Sequence, residues 1–600
     1  MKDPRSRASV PPPLAVARNA APEGASRRRF LLTAGAALPL AACGGGGTPN
    51  STFVPVTAAP SPAPSPPPPS SPAPAPAAAP VADTTSGRLQ GARSPDGAIQ
   101  SFLGIPYAQA PVGALRLASP KAFQASAGVR DATRFGAASL QTIPPYVSWI
   151  YTTPERMAED CLTLNVWAPA ERSGPLPVIV WLHGGAWRTG ATSMPLMDGE
   201  ALARRGLVVV TVNFRVGGLG AISHPDLADA DTGSQANWQL QDQIAALQWV
   251  RQNVAAFGGD AQRVCLVGQS AGATSCAILA QNPSARACFQ KVVLLSPAGL
   301  PAPSAFTLAD AATYTEALAK SLNTTPRGLR SVDATQLFQA EAALNGQPLP
   351  AGIRSGFGPR NAPIVDGISC LSDWTRTAWP QNLPAVFMNT LTEGSFFLDA
   401  IDPKTNSRLT PALPTTRDQL LALVVPQVAG STANANLVID AYAQAAAQEG
   451  RSSAYGDLWI EIYGDRVLRN FGVRYAGRIA AQGGSVSYAT YSHAILAPGR
   501  GVPHCAELPL LFGTFGLDAY RDKVGATAAE TALSQNIMAA LRSFAQEGSS
   551  RLPADSPWRQ YTPRTGSALN IGDAGGSAFT AGEVPKLSQL AVWDSLLGYA

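Results

Sequence analysis

Six short apolar runs, rich in β-branched residues, set the tightest limit on how this chain can fold. They are VIVWL (178–182), LVVVTVNF (207–214), VCLVG (264–268), VVLLS (292–296), AVFMN (385–389) and VSYATYS (486–492). Runs with almost no polar alternation suit strands covered on both faces, as in a mostly parallel sheet. Between them lie helical patterns: Leu240, Ile244, Leu247, Val250 and Val254 recur at helical spacing on one stripe. Strands alternating with helices predict an α/β doubly wound architecture. With 46% apolar and 14% charged residues, the chain can bury a large core.

The N-terminal region has a different character. Arg27-Arg28-Arg29 precede an apolar run from Phe30 to Ala42, about half the length of a spanning helix, so it reads as a signal peptide. It resembles a twin-arginine export signal, and Leu40-Ala41-Ala42-Cys43 resembles a lipobox whose cysteine is acylated. Ordinary cleavage near Ala42 without lipid is the alternative. Residues 43–82 are dominated by Pro, Ala, Ser and Gly and hold few large apolar groups, so they are expected to form an extended spacer. The expected organisation is therefore an export signal over 1–42, a linker over 43–82 and a catalytic body over 83–600. The expected location is outside the inner membrane, as a periplasmic or surface lipoprotein held through Cys43, or secreted.

The formal charge of +5 is a property of the leader. Residues 1–42 carry seven Lys/Arg against Asp3 and Glu23; the remainder holds 38 basic and 38 acidic side chains. A neutral body has no general attraction for phosphate backbones, which disfavours a nucleic-acid partner. The remaining chain has no other run approaching 18 uninterrupted apolar residues and is expected to be soluble.

Chemistry enters at the end of VCLVG. Gly268-Gln269-Ser270-Ala271-Gly272 follows this strand-like run and precedes the helical ATSCAILAQ. G-x-S-x-G in a strand–turn–helix context pushes the serine hydroxyl outward, and the helix N-terminus favours developing negative charge. A structural turn is the bland alternative, and the flanking elements weigh against it. A serine hydroxyl needs a base to take its proton. Of four histidines, His183 lies in an HGG turn, His224 in a loop before Pro225, and His493 directly after a strand. His504 lies in a late loop, GVPHCAELP (501–509), where an α/β-hydrolase places its base. The orienting acid should fall between Ser270 and His504. Glu393 sits in a polar turn just past AVFMN, at the sheet edge that delivers side chains to a site; Asp366, in PIVDG (363–367), competes. His183-Gly184-Gly185-Ala186-Trp187 after VIVWL matches a glycine-rich oxyanion loop, making the N–H groups of Gly185, Ala186 and Ala271 the expected donors.

Taken in order, FLGIPYA (102–108), PVGALR (111–116), EDCLTLNVW (159–167), HGGAW, FGGD (257–260), the Ser270 elbow and the Glu393 and His504 segments resemble a type B carboxylesterase, the group that includes cholinesterases and bacterial para-nitrobenzyl esterases. The similarity spans residues 84 to about 560. It implies an α/β-hydrolase fold and a Ser270–Glu393–His504 triad acting through an acyl-enzyme, with no cofactor and no metal. The expected substrates are small to medium uncharged carboxylic esters, and activity should rise with pH as the His504 imidazolium loses its proton. The resemblance also implies ion pairs Arg116–Glu159 and Arg215–Asp260, and support of Glu393 by Ser296.

Three positions depart from the family pattern. Gln269 stands where Glu is usual, Cys505 where Gly is frequent after the histidine, and Ser139 where animal relatives carry the cysteine that pairs with the EDC motif. Cys161 is accordingly expected to be unpaired; Cys265 and Cys276 read as small buried apolar residues rather than bridges, with a short loop closed by Cys276–Cys288 as the alternative. Trp149, Trp187, Trp238, Phe396 and Phe397 are candidate pocket walls and equally candidate core. A lipase or an amide or carbamate hydrolase on the same triad is the nearest rival function. A non-catalytic adhesion protein is the rival from another class, and it should have lost a triad member.

Overall fold

The computed structural model describes residues 78–597 apart from 126, 299–305, 348–360, 403–404, 406, 497–500, 547–557, 564–565, 573–575 and 577–578. The expected export signal, the expected lipobox at Cys43 and nearly all of the expected linker lie outside the described residues; the first strand, Val81–Thr84, begins just inside the stretch assigned to that linker.

All six apolar runs become strands of one eleven-stranded sheet. Leu176–Leu182 pairs in parallel with Val208–Val212 on one side and Gly259–Gln269 on the other. Beyond Gly259–Gln269 the strands Lys291–Leu295, Ala385–Thr390, Val486–Tyr491 and Ser567–Ile571 continue in parallel. Antiparallel strands flank this centre: Phe579–Glu583 at one end, and Thr163–Pro169, Ile99–Pro106 and Ala92–Arg93 at the other. The strand bearing VIVWL is buried at every position from Pro177 to Leu182, as its unbroken apolar pattern requires. Helices close both faces. Trp238–Asn253 buries Leu240, Leu247 and Val250, and Val254 follows in its last turn, also buried.

Chain order reverses on either side of Leu176–Leu182, because one neighbour follows it directly and the other comes much later. Such a switch point opens a crevice at the carboxyl ends of the strands, where α/β sheets bind ligands. Register aligns those ends: Leu182 opposes Gly268, Gln269 opposes Leu295, and Leu295 opposes Met388. The residues just beyond them are therefore neighbours, with Ser270 N–H donating to Leu295 O at 2.8 Å and Ser296 N–H to Met388 O at 2.6 Å.

One expected ion pair is corrected by this geometry. Arg215 follows the carboxyl end of its strand, whereas Asp260 lies at the amino end of Gly259–Gln269, on the opposite edge of the sheet. Arg215 instead forks onto buried Asp242 at 2.7 and 2.8 Å, and Asp260 takes Arg263 at 2.7 Å. Arg116 does meet Glu159, through Nη2 to Oε2 at 2.6 Å. Cys276 takes the buried apolar role, and the alternative bridge to Cys288 is not formed. Both thiols are free and buried, as is Cys161. Among the described residues no single helix is long and apolar enough to cross a membrane.

Candidate active site

The Gly259–Gln269 strand ends at Ser270, which sits at φ 55°, ψ −123° before the Ala271–Leu279 helix. A positive φ in a non-glycine residue carries strain and holds the side chain out of the strand direction. The flanking glycines permit this approach: a Cβ on Gly272 would lie 2.1 Å from Leu182 O, and one on Gly184 would lie 2.4 Å from Gln269 Oε1. The elbow and the HGG loop can interlock only without those carbons.

His504 and Glu393 are brought together. His504 Nδ1 lies 2.6 Å from Glu393 Oε2, with both side chains almost fully buried. The other carboxylate oxygen accepts from Ser296 Oγ (2.6 Å), Asn389 Nδ2 (2.9 Å) and Thr390 N–H (2.9 Å). Burial alone would raise the Glu393 carboxyl, but His504, Ser296 and Asn389 outweigh it and hold the group below the usual carboxylate range. A carboxylate on Nδ1 leaves the Nε2 lone pair facing outward. That lone pair accepts from Gln269 Nε2 at 3.0 Å, and the same amide reaches Cys505 Sγ at 3.1 Å. The rings of Phe396 and Phe397 flank the imidazole at 5.3 and 5.5 Å. Ser270 and His504 line one cavity of about 760 Å³, and the Ser270 hydroxyl has no hydrogen bond among the described residues.

Gly185, Ala186 and Ala271 line the same cavity. Their N–H groups donate to no described residue, which leaves three unspent donors beside Ser270. Gly185, Ala186 and Trp187 all have positive φ (109°, 54° and 54°), a backbone region uncommon for the two non-glycine residues.

The remaining sequence candidates separate cleanly. Asp366 caps its own turn, accepting from the N–H groups of Ile368, Ser369 and Cys370. His183 is buried and stacked on Phe214 at 4.3 Å, and burial lowers its ring to a pKa of about 4. His224 caps a short turn and His493 pairs with Glu530. Trp187, Phe396 and Phe397 do line the cavity; Trp149 packs behind Phe396, and Trp238 belongs to a separate cluster beneath Arg215. Sequence reasoning missed Tyr146, Tyr151 and Tyr463 on the walls, Asn389 behind Glu393, and Glu507. Tyr463 is contributed by the Tyr455–Gly464 helix, which runs into a π-turn over Asp465–Arg469; that turn brings Arg466, Val467 and Leu468 to the cavity wall. Among the described residues no group of three His, Cys, Asp or Glu side chains is placed to hold a metal ion.

A family profile described as "Carboxylesterase family" matches residues 78–593. The chain belongs to the carboxylesterase family. It is 34% identical to fumonisin B1 esterase of Sphingopyxis macrogoltabida over 346 residues, 54% of this chain and 58% of that protein. It is 32% identical to phenmedipham hydrolase of Pseudarthrobacter oxydans over 74% of this chain and 84% of the relative. Para-nitrobenzyl esterase of Bacillus subtilis (strain 168) is 41% identical over 36% of this chain and 43% of its own length.

Proposed function

We propose that this carboxylesterase-family protein hydrolyses small to medium carboxylic esters, uncharged around the scissile bond, by a Ser270–His504–Glu393 relay. Carrying the proposal is the position of His504: one nitrogen is held by a buried carboxylate, and the other opens toward the cavity that exposes Ser270. When an ester enters, His504 Nε2 exchanges its Gln269 contact for the Ser270 hydroxyl. It takes the proton as Oγ attacks the carbonyl carbon, and Glu393 stabilises the imidazolium. The N–H groups of Gly185, Ala186 and Ala271 receive the oxyanion. His504 returns its proton to the departing alkoxide, and a water repeats the sequence to free the acid and Ser270. The chemistry requires no cofactor. Tyr146, Trp187, Phe396 and Phe397 supply apolar surface for the uncharged part of the substrate.

A fluorophosphonate probe tests the nucleophile. Wild type is expected to label, and Ser270→Ala to lose both labelling and ester turnover, the latter by about 10⁴-fold or more. Equal labelling of the two proteins overturns the assignment. We also propose export and lipid attachment at Cys43, supported by the residue pattern before it. Labelled palmitate should enter wild type and not Cys43→Ser; equal incorporation rejects the anchor.

A further inference from the structure

The cavity walls are mainly apolar, yet two arginines line them, Arg188 and Arg466, against one acidic residue other than the triad's own, Glu341. Arg466 is held in place: it lies 5.8 Å above the Trp593 ring and its Nε donates to Gln427 O at 3.4 Å. Arg188 is different. Its residue is exposed, and among the described residues no carboxylate lies within ion-pair distance of it. It is two positions beyond the oxyanion donor Ala186, so the two Cα atoms are at most about 7 Å apart. Arg188 also lies near enough to Tyr146, on the wall facing Phe396 and Phe397, for its charge to counter part of the rise that burial imposes on that phenol. Beside the serine, Gln269 contributes an uncharged amide. A cation with no described carboxylate at ion-pair distance, on a mainly apolar cavity wall and carried by the same loop that would hold the oxyanion, is placed to receive an anionic group of the substrate. Partial removal from water strengthens that attraction, and the planar fork of arginine matches a carboxylate with two parallel hydrogen bonds.

We propose that Arg188 is a specificity-determining residue and that the preferred substrates are esters bearing a carboxylate remote from the scissile bond, such as half-esters of dicarboxylic acids. The inference rests on the hydrolase function proposed above and refines its substrate class: the end that reaches Ser270 is uncharged, and the far end is anionic.

Monoethyl adipate and ethyl hexanoate share the same reacting ester and chain length, and differ in a terminal carboxylate or methyl. The quantity read is the ratio of kcat/KM for the charged ester to that for the neutral one. Wild type is expected to favour monoethyl adipate, with the ratio falling as salt is raised. Arg188→Gln is expected to lower the ratio about tenfold or more, chiefly through KM, and Arg188→Lys to retain part of the preference. Because each variant serves as its own reference, general damage to the loop lowers both rates and leaves the ratio in place. An unchanged ratio in Arg188→Gln overturns the inference while leaving the hydrolase intact, since ethyl hexanoate is still turned over. Failure of wild type to hydrolyse either ester, with no fluorophosphonate labelling, overturns the proposed function and this inference with it.

Discussion

Two buried histidine–glutamate pairs lie among the described residues, and their difference separates a structural contact from a candidate catalytic one. His493 Nε2 meets Glu530 Oε1 at 2.9 Å and His504 Nδ1 meets Glu393 Oε2 at 2.6 Å, with all four side chains under a tenth exposed. In the first pair the second ring nitrogen, Nδ1, is buried and has no partner among the described residues, while Glu530 Oε2 accepts from the N–H and hydroxyl of Thr527 at the start of the Ala528–Gln546 helix. That carboxylate ties a helix start to a strand end. In the second pair Glu393 is held by three further donors, and the other ring nitrogen is contacted by Gln269, in a histidine that lines a cavity shared with a serine. A carboxylate on a histidine is thus common to both. An outlet for the other nitrogen belongs to one.

The contrast breaks first at the carboxylates. Glu393→Gln removes the acceptor that selects the His504 tautomer, and kcat is expected to fall by about 10³–10⁴-fold with the fold intact by circular dichroism. Glu530→Gln should leave kcat/KM for ethyl hexanoate within about twofold of wild type and lower stability by roughly 1–3 kcal/mol, read from denaturant midpoints. Equal loss of activity in the two variants would erase the distinction between the pairs.

Much of this contrast was visible in the residues, and what stayed hidden did so for identifiable reasons. The six central strands announce themselves because burial on both faces forbids polar alternation. The three-stranded sheet of Val81–Thr84, Gly87–Gln90 and Val129–Asp131 does not, because its short strands are mostly exposed and carry no such run. Ser270 is readable because its motif is local. Glu393 and His504 became readable through their placement after strands. Arg215 was matched to the wrong acid because motif order in the chain does not say which edge of the sheet a residue occupies. The cavity walls were least legible: Tyr146 and Arg466 come from a loop and a π-turn with no periodic pattern. Strain was hidden too. Of ten described non-glycine residues with positive φ, five surround this site: Ala186, Trp187, Ser270, Ser296 and Cys505. At 73°, Cys505 occupies the backbone region where glycine costs least, which accounts physically for the glycine frequent at that position in relatives.

A third buried carboxylate extends the comparison to one without a histidine. Glu507 lies three residues after His504, and neither of its oxygens bonds another described residue. Burial first, and then the nearby Glu393 charge, push its carboxyl up to about 8. The folded state therefore holds a proton that the unfolded chain releases near its ordinary value, so stability is greatest below about pH 4.5 for this group and declines as pH rises toward 8. Glu507→Gln should flatten that decline and leave the protein more stable than wild type at pH 8–9 by on the order of a few kcal/mol. A variant whose stability still falls across this window as wild type does would show that Glu507 is not the group responsible.

The smallest effect is expected at Gln269, the neutral side chain that touches the His504 nitrogen proposed as the base. Gln269→Glu would give His504 a carboxylate on each side, making its environment unlike that of either natural pair. A second negative charge at hydrogen-bond distance favours the imidazolium, which cannot accept the Ser270 proton, so the acid limb of the kcat/KM profile should move to higher pH by about one unit. The same charge lies on the cavity that Arg188 also lines and should weaken turnover of monoethyl adipate more than that of ethyl hexanoate. Measured on both esters, the profile separates the two consequences: the limb shifts for each substrate because it belongs to the base, while the selectivity changes only through the charge of the ligand. If the limb stays in place, the 3.0 Å contact between Gln269 and His504 has no electrostatic hold on the base.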